Sequence, residues 1–249
     1  MQYHLDTIPV WEAMELNGDC PLCAIRRKTE LTQLDRALGG SVMDPDTRIR
    51  VNEKGICPRH QQALFGMNNR LGQALMMDSH LMELIAKADK LRADFAPAGK
   101  AGLFARKNTD ATDALIHALR DMSEGCVICD EIELHMGRYL YTFVHLLKTD
   151  KKFWDKWVAS RGVCLPHAAE LLACAKQHLN QQKLDELTQS VLEHLSDQLK
   201  LNQEDLHWFT LKFDYRNAEK PWGNSRNALE RSVNHLRGWC LGDEPNPKK

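Results

Sequence analysis

Six cysteines and two histidines of this chain stand at spacings that suit a metal ion. Cys20 and Cys23 form a C-x2-C pair, and Cys57 and His60 form a C-x2-H pair. The same pairs return as Cys126 with Cys129 and Cys164 with His167. Thiolate and imidazole are the ligands that tetrahedral zinc prefers, and shells closed by four protein ligands are structural sites. A C-x2-C pair lets two thiolates reach one ion from one turn of chain. A distant C-x2-H pair completes the shell and staples a second element to the first. Taken in sequence order, the spacing predicts two Cys3His sites. One is Cys20, Cys23, Cys57 and His60; the other is Cys126, Cys129, Cys164 and His167. Two zinc ions per chain are expected. An iron–sulfur cluster is the alternative occupant of thiolate-rich sites, though Cys3His ligation is the rarer form for it. Treating these cysteines as small buried apolar residues explains neither the spacing nor its recurrence.

The elements that must position these side chains come as an internal repeat. The two C-x2-C pairs are offset by 106 residues and the two C-x2-H pairs by 107. Within each copy, 33 or 34 residues separate the pairs. This reads as a duplicated unit. Residues 1–95 form a first metal-binding helical unit and 110–180 a second. Residues 181–241 form a helical extension packed on the repeats, and 242–249 a disordered tail. Phe95 to Asp110, with Pro97, Gly99 and Gly102, reads as the linker.

The expected fold class is all-α. Cys23 to Leu38 is free of helix breakers, and Gly39-Gly40 ends it. Leu71, Leu75, Leu81, Leu84, Ile85, Ala88 and Leu91 keep a near-3.6 spacing. Ile132 to Leu147, Ala168 to Leu179 and Leu184 to Leu199 read as further helices. Asn202, with Asp205 three residues on and Leu201 and Leu206 as a hydrophobic staple, reads as the N-cap of another. Pro21 and Pro58 each follow a cysteine, which places the metal pairs at helix starts. The partial positive charge of a helix N-terminus favours thiolate there.

Composition narrows the function classes. The 249 residues carry 33 basic and 34 acidic side chains, balanced in both halves: 16 against 17 in 1–125, then 17 against 17. A nucleic-acid binder ordinarily shows a basic excess or stripe, so this balance argues against one. No run approaches the ~18 apolar residues of a membrane helix. The N-terminus shows no basic stretch followed by an apolar one, so a cytoplasmic protein is expected. In a reducing compartment, eight cysteines point to metal rather than to disulfides.

Several stretches together resemble a bacterial protein family of unknown function. They are Tyr3-His4-Leu5-Asp6-Thr7-Ile8-Pro9-Val10-Trp11, Cys20-Pro21-Leu22-Cys23, Gly39 to Arg48, Asn52 to His60, Asn69-Arg70-Leu71-Gly72 and Pro221-Trp222-Gly223-Asn224-Ser225. The resemblance covers nearly the whole chain and implies paired Cys-x2-Cys and Cys-x2-His elements. It implies no reaction.

Other residues read as structure. Cys174 near His178 reads as a core cysteine, Cys240 beside Trp239 as packing, and Trp154 and Trp157 with Phe153 as core of the second unit. Glu131 and His135 read as a solvated helix face. Asp44-Pro45-Asp46 with Arg48 reads as a helix cap or as the lining of a pocket. No phosphate loop, Ser-His-Asp order or H-E-x-x-H motif is present, so no catalytic residue is named. The reading that follows is a non-catalytic zinc scaffold whose partner is a protein or small ligand. A thiol redox enzyme or sensor built on the C-x2-C pairs, and a nucleic-acid-binding zinc module, are the alternatives.

Overall fold

Proline and cysteine set the helix starts. In the computed structural model, which describes residues 3–16, 18–95 and 109–245, α2 begins at Pro21 and α4 at Pro58, each just after a cysteine. Along the chain run α1 (Tyr3–Glu15), α2 (Pro21–Leu38), α3 (Pro45–Lys54), α4 (Pro58–Gly66), α5 (Arg70–Asp94) and α6 (Thr109–Ser123). Then come α7 (Val127–Thr149), α8 (Lys151–Val158), α9 (Leu165–His178), α10 (Gln181–Leu211) and α11 (Ala228–Arg237), with short 3-10 turns between some of them. No strand occurs among the described residues, and the fold is all-α as the periodicity predicts. The expected linker lies, apart from its ends, outside the described residues, as does the tail from 246 onward.

The chain divides into two units. One joins residues 1–29 to 134–249; the other is 30–133, the division falling within α2 and within α7. The units therefore do not coincide with the two copies of the sequence repeat.

In the unit of 1–29 and 134–249, the core is aromatic. Phe143, Phe153 and Trp157 are fully buried. The Phe143 and Phe153 rings meet edge to face at 5.0 Å, as do those of Trp11 and Phe153. Trp157 donates its indole N–H to Ser190 at 2.9 Å, so its one polar atom is satisfied. Trp154 is only half-buried. α9, α10 and α11 pack against one another, and α1 packs on α8. Asn202 is not an N-cap. α10 runs unbroken through it, because the Asn202 side chain is buried and accepts from Arg231 at 3.4 Å instead of turning back on the backbone. The cap of that helix is Asn180, which accepts from the Lys183 N–H at 3.0 Å.

In the unit of 30–133, Leu34, Val51, Leu64, Met76 and Ile128 are buried. Asp44 caps α3, accepting from the Thr47 N–H at 2.9 Å and the Thr47 hydroxyl at 2.6 Å. The Thr47 hydroxyl and N–H hold its carboxyl below the usual carboxylate range. Asp46 is exposed, and Arg48 donates to the Val42 carbonyl at 3.4 Å. This stretch is thus a helix cap.

Two glycines shape the approach to the C-x2-H pairs. Gly55 has φ 74° and ψ −165°, a region essentially closed to other residues, and its N–H closes α3 onto the Val51 carbonyl at 2.8 Å. Gly162 has φ 74° at the matching position of the second copy. Each glycine lies under a histidine of its own unit. An added Cβ would meet His80 Nε2 at 3.0 Å above Gly55 and His194 Cβ at 2.7 Å above Gly162. Gly55→Ala and Gly162→Ala are each expected to lower stability in urea unfolding by about 1–3 kcal/mol. Gly137→Ala, in mid-helix with nothing within 4 Å of the added methyl, is expected to raise it by roughly 0.5–1 kcal/mol.

Candidate metal centres

Each helix start presents its cysteine as a cap. Cys57 and Cys164 are the N-caps of α4 and α9, with nearly identical backbones: φ −67° and ψ 160°, φ −67° and ψ 162°. Cys20 and Cys126 stand just before α2 and α7. The sulfur of Cys20 accepts from the Cys23 N–H at 3.4 Å, and that of Cys126 from the Cys129 N–H at 3.5 Å. The second cysteine of each C-x2-C pair is therefore the third helical residue. Its amide supports the first sulfur while its side chain turns to the same point.

All eight predicted residues come together, but not in the predicted groups. One cluster is Cys20, Cys23, Cys164 and His167; the other is Cys57, His60, Cys126 and Cys129. The grouping by sequence copy, Cys20-Cys23-Cys57-His60 and Cys126-Cys129-Cys164-His167, is corrected accordingly. Each C-x2-C pair meets the C-x2-H pair of the other copy. The first cluster lies wholly within the unit of 1–29 and 134–249, the second wholly within 30–133.

The ligand atoms of each cluster lie within 4.8 Å of one another. In the first, Cys23 and Cys164 sulfurs are 3.7 Å apart, and His167 Nδ1 is 3.4, 3.4 and 3.1 Å from the sulfurs of Cys20, Cys23 and Cys164. In the second, Cys57 and Cys129 sulfurs are 3.9 Å apart, and His60 Nδ1 is 3.4, 3.2 and 3.4 Å from Cys57, Cys126 and Cys129. Sulfurs bound about 2.3 Å from a tetrahedral ion stand about 3.8 Å from each other. A disulfide would need about 2.05 Å. The residues present therefore fit a single ion at each centre.

The electrostatics point the same way. Burial, then Cys164 and Cys23 beside it, pushes Cys20 well above the ordinary thiol range. Hydrogen bonds from Cys20 and Cys23, against burial, and then His167, pull Cys164 far down. In the second cluster burial and Cys126 push Cys129 up to about 12. Cys126 is opposed by burial but drawn down to about 6 by His60 and by the amides of Cys57 and Cys129. Thiols this close resist ionising together, and a central divalent cation is what lets all three become thiolates.

The surroundings of the two histidines differ. His60 turns Nδ1 to the sulfurs and Nε2 to Glu30 Oε1 at 3.2 Å. Glu30 is itself buried and also takes Arg59 at 2.8 Å. This is the carboxylate–histidine arrangement that fixes the tautomer of a metal-bound imidazole. Among the described residues, the carboxylate nearest His167 Nε2 is Glu170, one turn away at 4.0 Å and half-buried. The repeat position matching Glu30 is Met136. Sequence reasoning missed Glu30; its one signal is an acidic residue on the apolar side of α2, between the buried Ile25 and Leu34.

A cleft of about 360 Å³ borders the first cluster, lined by Cys20, Cys23 and Cys164 together with His235 and Trp239. The Trp239 amide donates to Cys23 sulfur at 3.3 Å. Arg27 stacks 5.0 Å over the Trp239 ring and pairs with Glu244 at 2.6 Å. His235 is buried, which lowers its pKa against the opposing pull of Cys164 and Asp19.

The remaining predicted residues stay outside both clusters. Cys174 is half-buried, and burial raises its pKa. Cys240 is exposed rather than packed, because its segment is held through the backbone: the Cys240 N–H donates to Asn234 at 2.9 Å. Glu131 pairs with Arg50 at 2.5 Å, and His135 stacks on Tyr139.

An all-helical chain carrying two Cys3His clusters, each built from two helix starts, defines the class. The chain belongs to the family of unknown function DUF6062, whose model matches residues 1–243. No curated protein and no solved structure matches it. No helix among the described residues is long and apolar enough to cross a membrane.

Proposed function

We propose that this is a zinc protein of the cytoplasm, a non-catalytic helical scaffold in which one zinc ion closes each Cys3His cluster. The observation that carries the reading is the tetrahedral spacing of the ligand atoms, with sulfurs 3.7 and 3.9 Å apart. Such spacing suits one ion and leaves no room for the inorganic sulfides of an iron–sulfur cluster. Three thiolates, a neutral imidazole and a divalent zinc sum to −1 per site, a charge that two helix N-termini partly offset. Four protein ligands leave no coordination position for a substrate, which supports a structural role. Free thiols throughout suit a reducing compartment. The partner of the scaffold is a protein or a small ligand. The balance of 33 basic and 34 acidic residues speaks against nucleic acid.

Elemental analysis of protein purified without added metal tests this. About two zinc ions per chain are expected, lost together with helical structure on prolonged chelation. Iron with visible absorbance, or no metal, would refute it.

A further inference from the structure

The two clusters differ in how an ion could reach them. In the second, Cys57 and Cys129 are partly exposed, so this cluster lies nearer to solvent. In the first, Cys20, Cys23, Cys164 and His167 are 7, 6, 1 and 3 % exposed. A hydrated divalent cation cannot meet four such ligands without a path and without groups that replace its waters along it.

The cleft supplies both. It touches three of the four first-cluster ligands. His235 lines it while only 4 % exposed, and its Nε2 is buried with no hydrogen-bond partner. A buried imidazole nitrogen left unsatisfied beside three thiols needs an explanation, and an ion or water is the usual one. Asp19, Glu230, Asp243 and Glu244 also line the cleft, against the single cation Arg231. Asp19 is paired with Arg161 and Glu244 with Arg27, while Glu230 and Asp243 carry no ion pair among the described residues. Arg231 is committed elsewhere, to Asp205 at 2.7 Å and to the Asn224 carbonyl at 2.7 Å. An acidic mouth raises the local concentration of cations.

We propose that this cleft is the port through which a divalent cation enters and leaves the first centre. Glu230 and Asp243 gather the ion at the mouth. His235 binds it in passing, through Nε2, before the thiolates take it. The second centre, with two partly exposed cysteines, exchanges without such a port. The inference rests on the zinc reading above.

The probe is isotopically enriched zinc added in excess to the intact zinc-loaded chain, with exchange followed by native mass spectrometry. Exchange at equilibrium is limited by release of the bound ion, so a variant that merely weakened the centre would exchange faster, whereas loss of the path slows exchange. In His235→Ala, one of the two ions is expected to exchange several-fold more slowly, because the ion then crosses the cleft with no imidazole to replace one of its waters. The other ion should exchange at the wild-type rate, and zinc content should stay at two. The double variant Glu230→Gln with Asp243→Asn changes only mouth carboxylates. It should slow the same ion several-fold at low salt and not at high salt. Unchanged or faster exchange in the double variant overturns the proposal, whether or not His235→Ala folds. A wild-type chain that holds no zinc refutes the zinc reading instead.

Discussion

Replacing Cys20 and Cys164 together with serine should cost the protein one metal ion, whereas replacing Cys20 and Cys57 together should cost it both. Cys20 and Cys164 share a cluster; Cys20 and Cys57 do not. Grouping by sequence copy gives the opposite result for each pair, so metal content alone separates the two. The stability effect should be large. Structural zinc contributes an apparent free energy of about 10–16 kcal/mol in small modules. These units have cores of their own, so the loss is partial. A loss of about 4 kcal/mol in a chain of this size lowers the melting temperature by roughly 8–16 °C. Cys174→Ser and Cys240→Ser, outside both clusters, should keep two ions and cost less than about 1 kcal/mol. Thermal melts paired with metal analysis check all four variants. A Cys20/Cys57 double variant that retains one ion at full occupancy would show that the crossed grouping is wrong.

Glu30→Ala should weaken the second centre alone. Glu30 accepts from His60 Nε2 at 3.2 Å while His60 Nδ1 faces the sulfurs. Removing such a partner lowers metal affinity by about 10–100-fold, because the imidazole loses its fixed tautomer and orientation. Arg59, another partner of Glu30, has 68 % of its side chain exposed, so the substitution does not strand it as a buried cation. Glu30→Gln keeps an acceptor for the Nε2 proton and should recover most of the loss. Glu170→Ala, 4.0 Å from His167 and half-buried, should leave the first centre nearly unchanged. Competition with a chelator of known affinity measures each effect. Equal weakening of both centres in Glu30→Ala would mean that it acts through the fold rather than through His60.

Much of this was legible in the residues themselves. The eight residues of the two clusters followed from spacing, since C-x2-C and C-x2-H place side chains on one helical turn wherever the pairs occur. The helix starts followed from Pro21 and Pro58, and the all-α class from apolar periodicity. Local signals failed where a distant side chain outbid them. Asn202 has the pattern of a cap, but Arg231 reaches it from α11 and the helix continues. Glu30 and Met136 occupy matching repeat positions, yet only Glu30 has a histidine to hold.

Which pair meets which was decided by tertiary structure alone. Joining Cys23 to Cys57 closes a loop of 34 residues. The observed joins, Cys57 with Cys129 and Cys23 with Cys164, span 72 and 141. Loop closure grows only as the logarithm of length, about 0.6 kcal/mol for each doubling, so the longer joins together cost about 2 kcal/mol more. That is small beside the packing of either unit. Spacing therefore names the eight clustered residues and is nearly silent on their partners. The choice falls to the cores, which place the start of α2 with α9 in one unit and the start of α7 with α4 in the other.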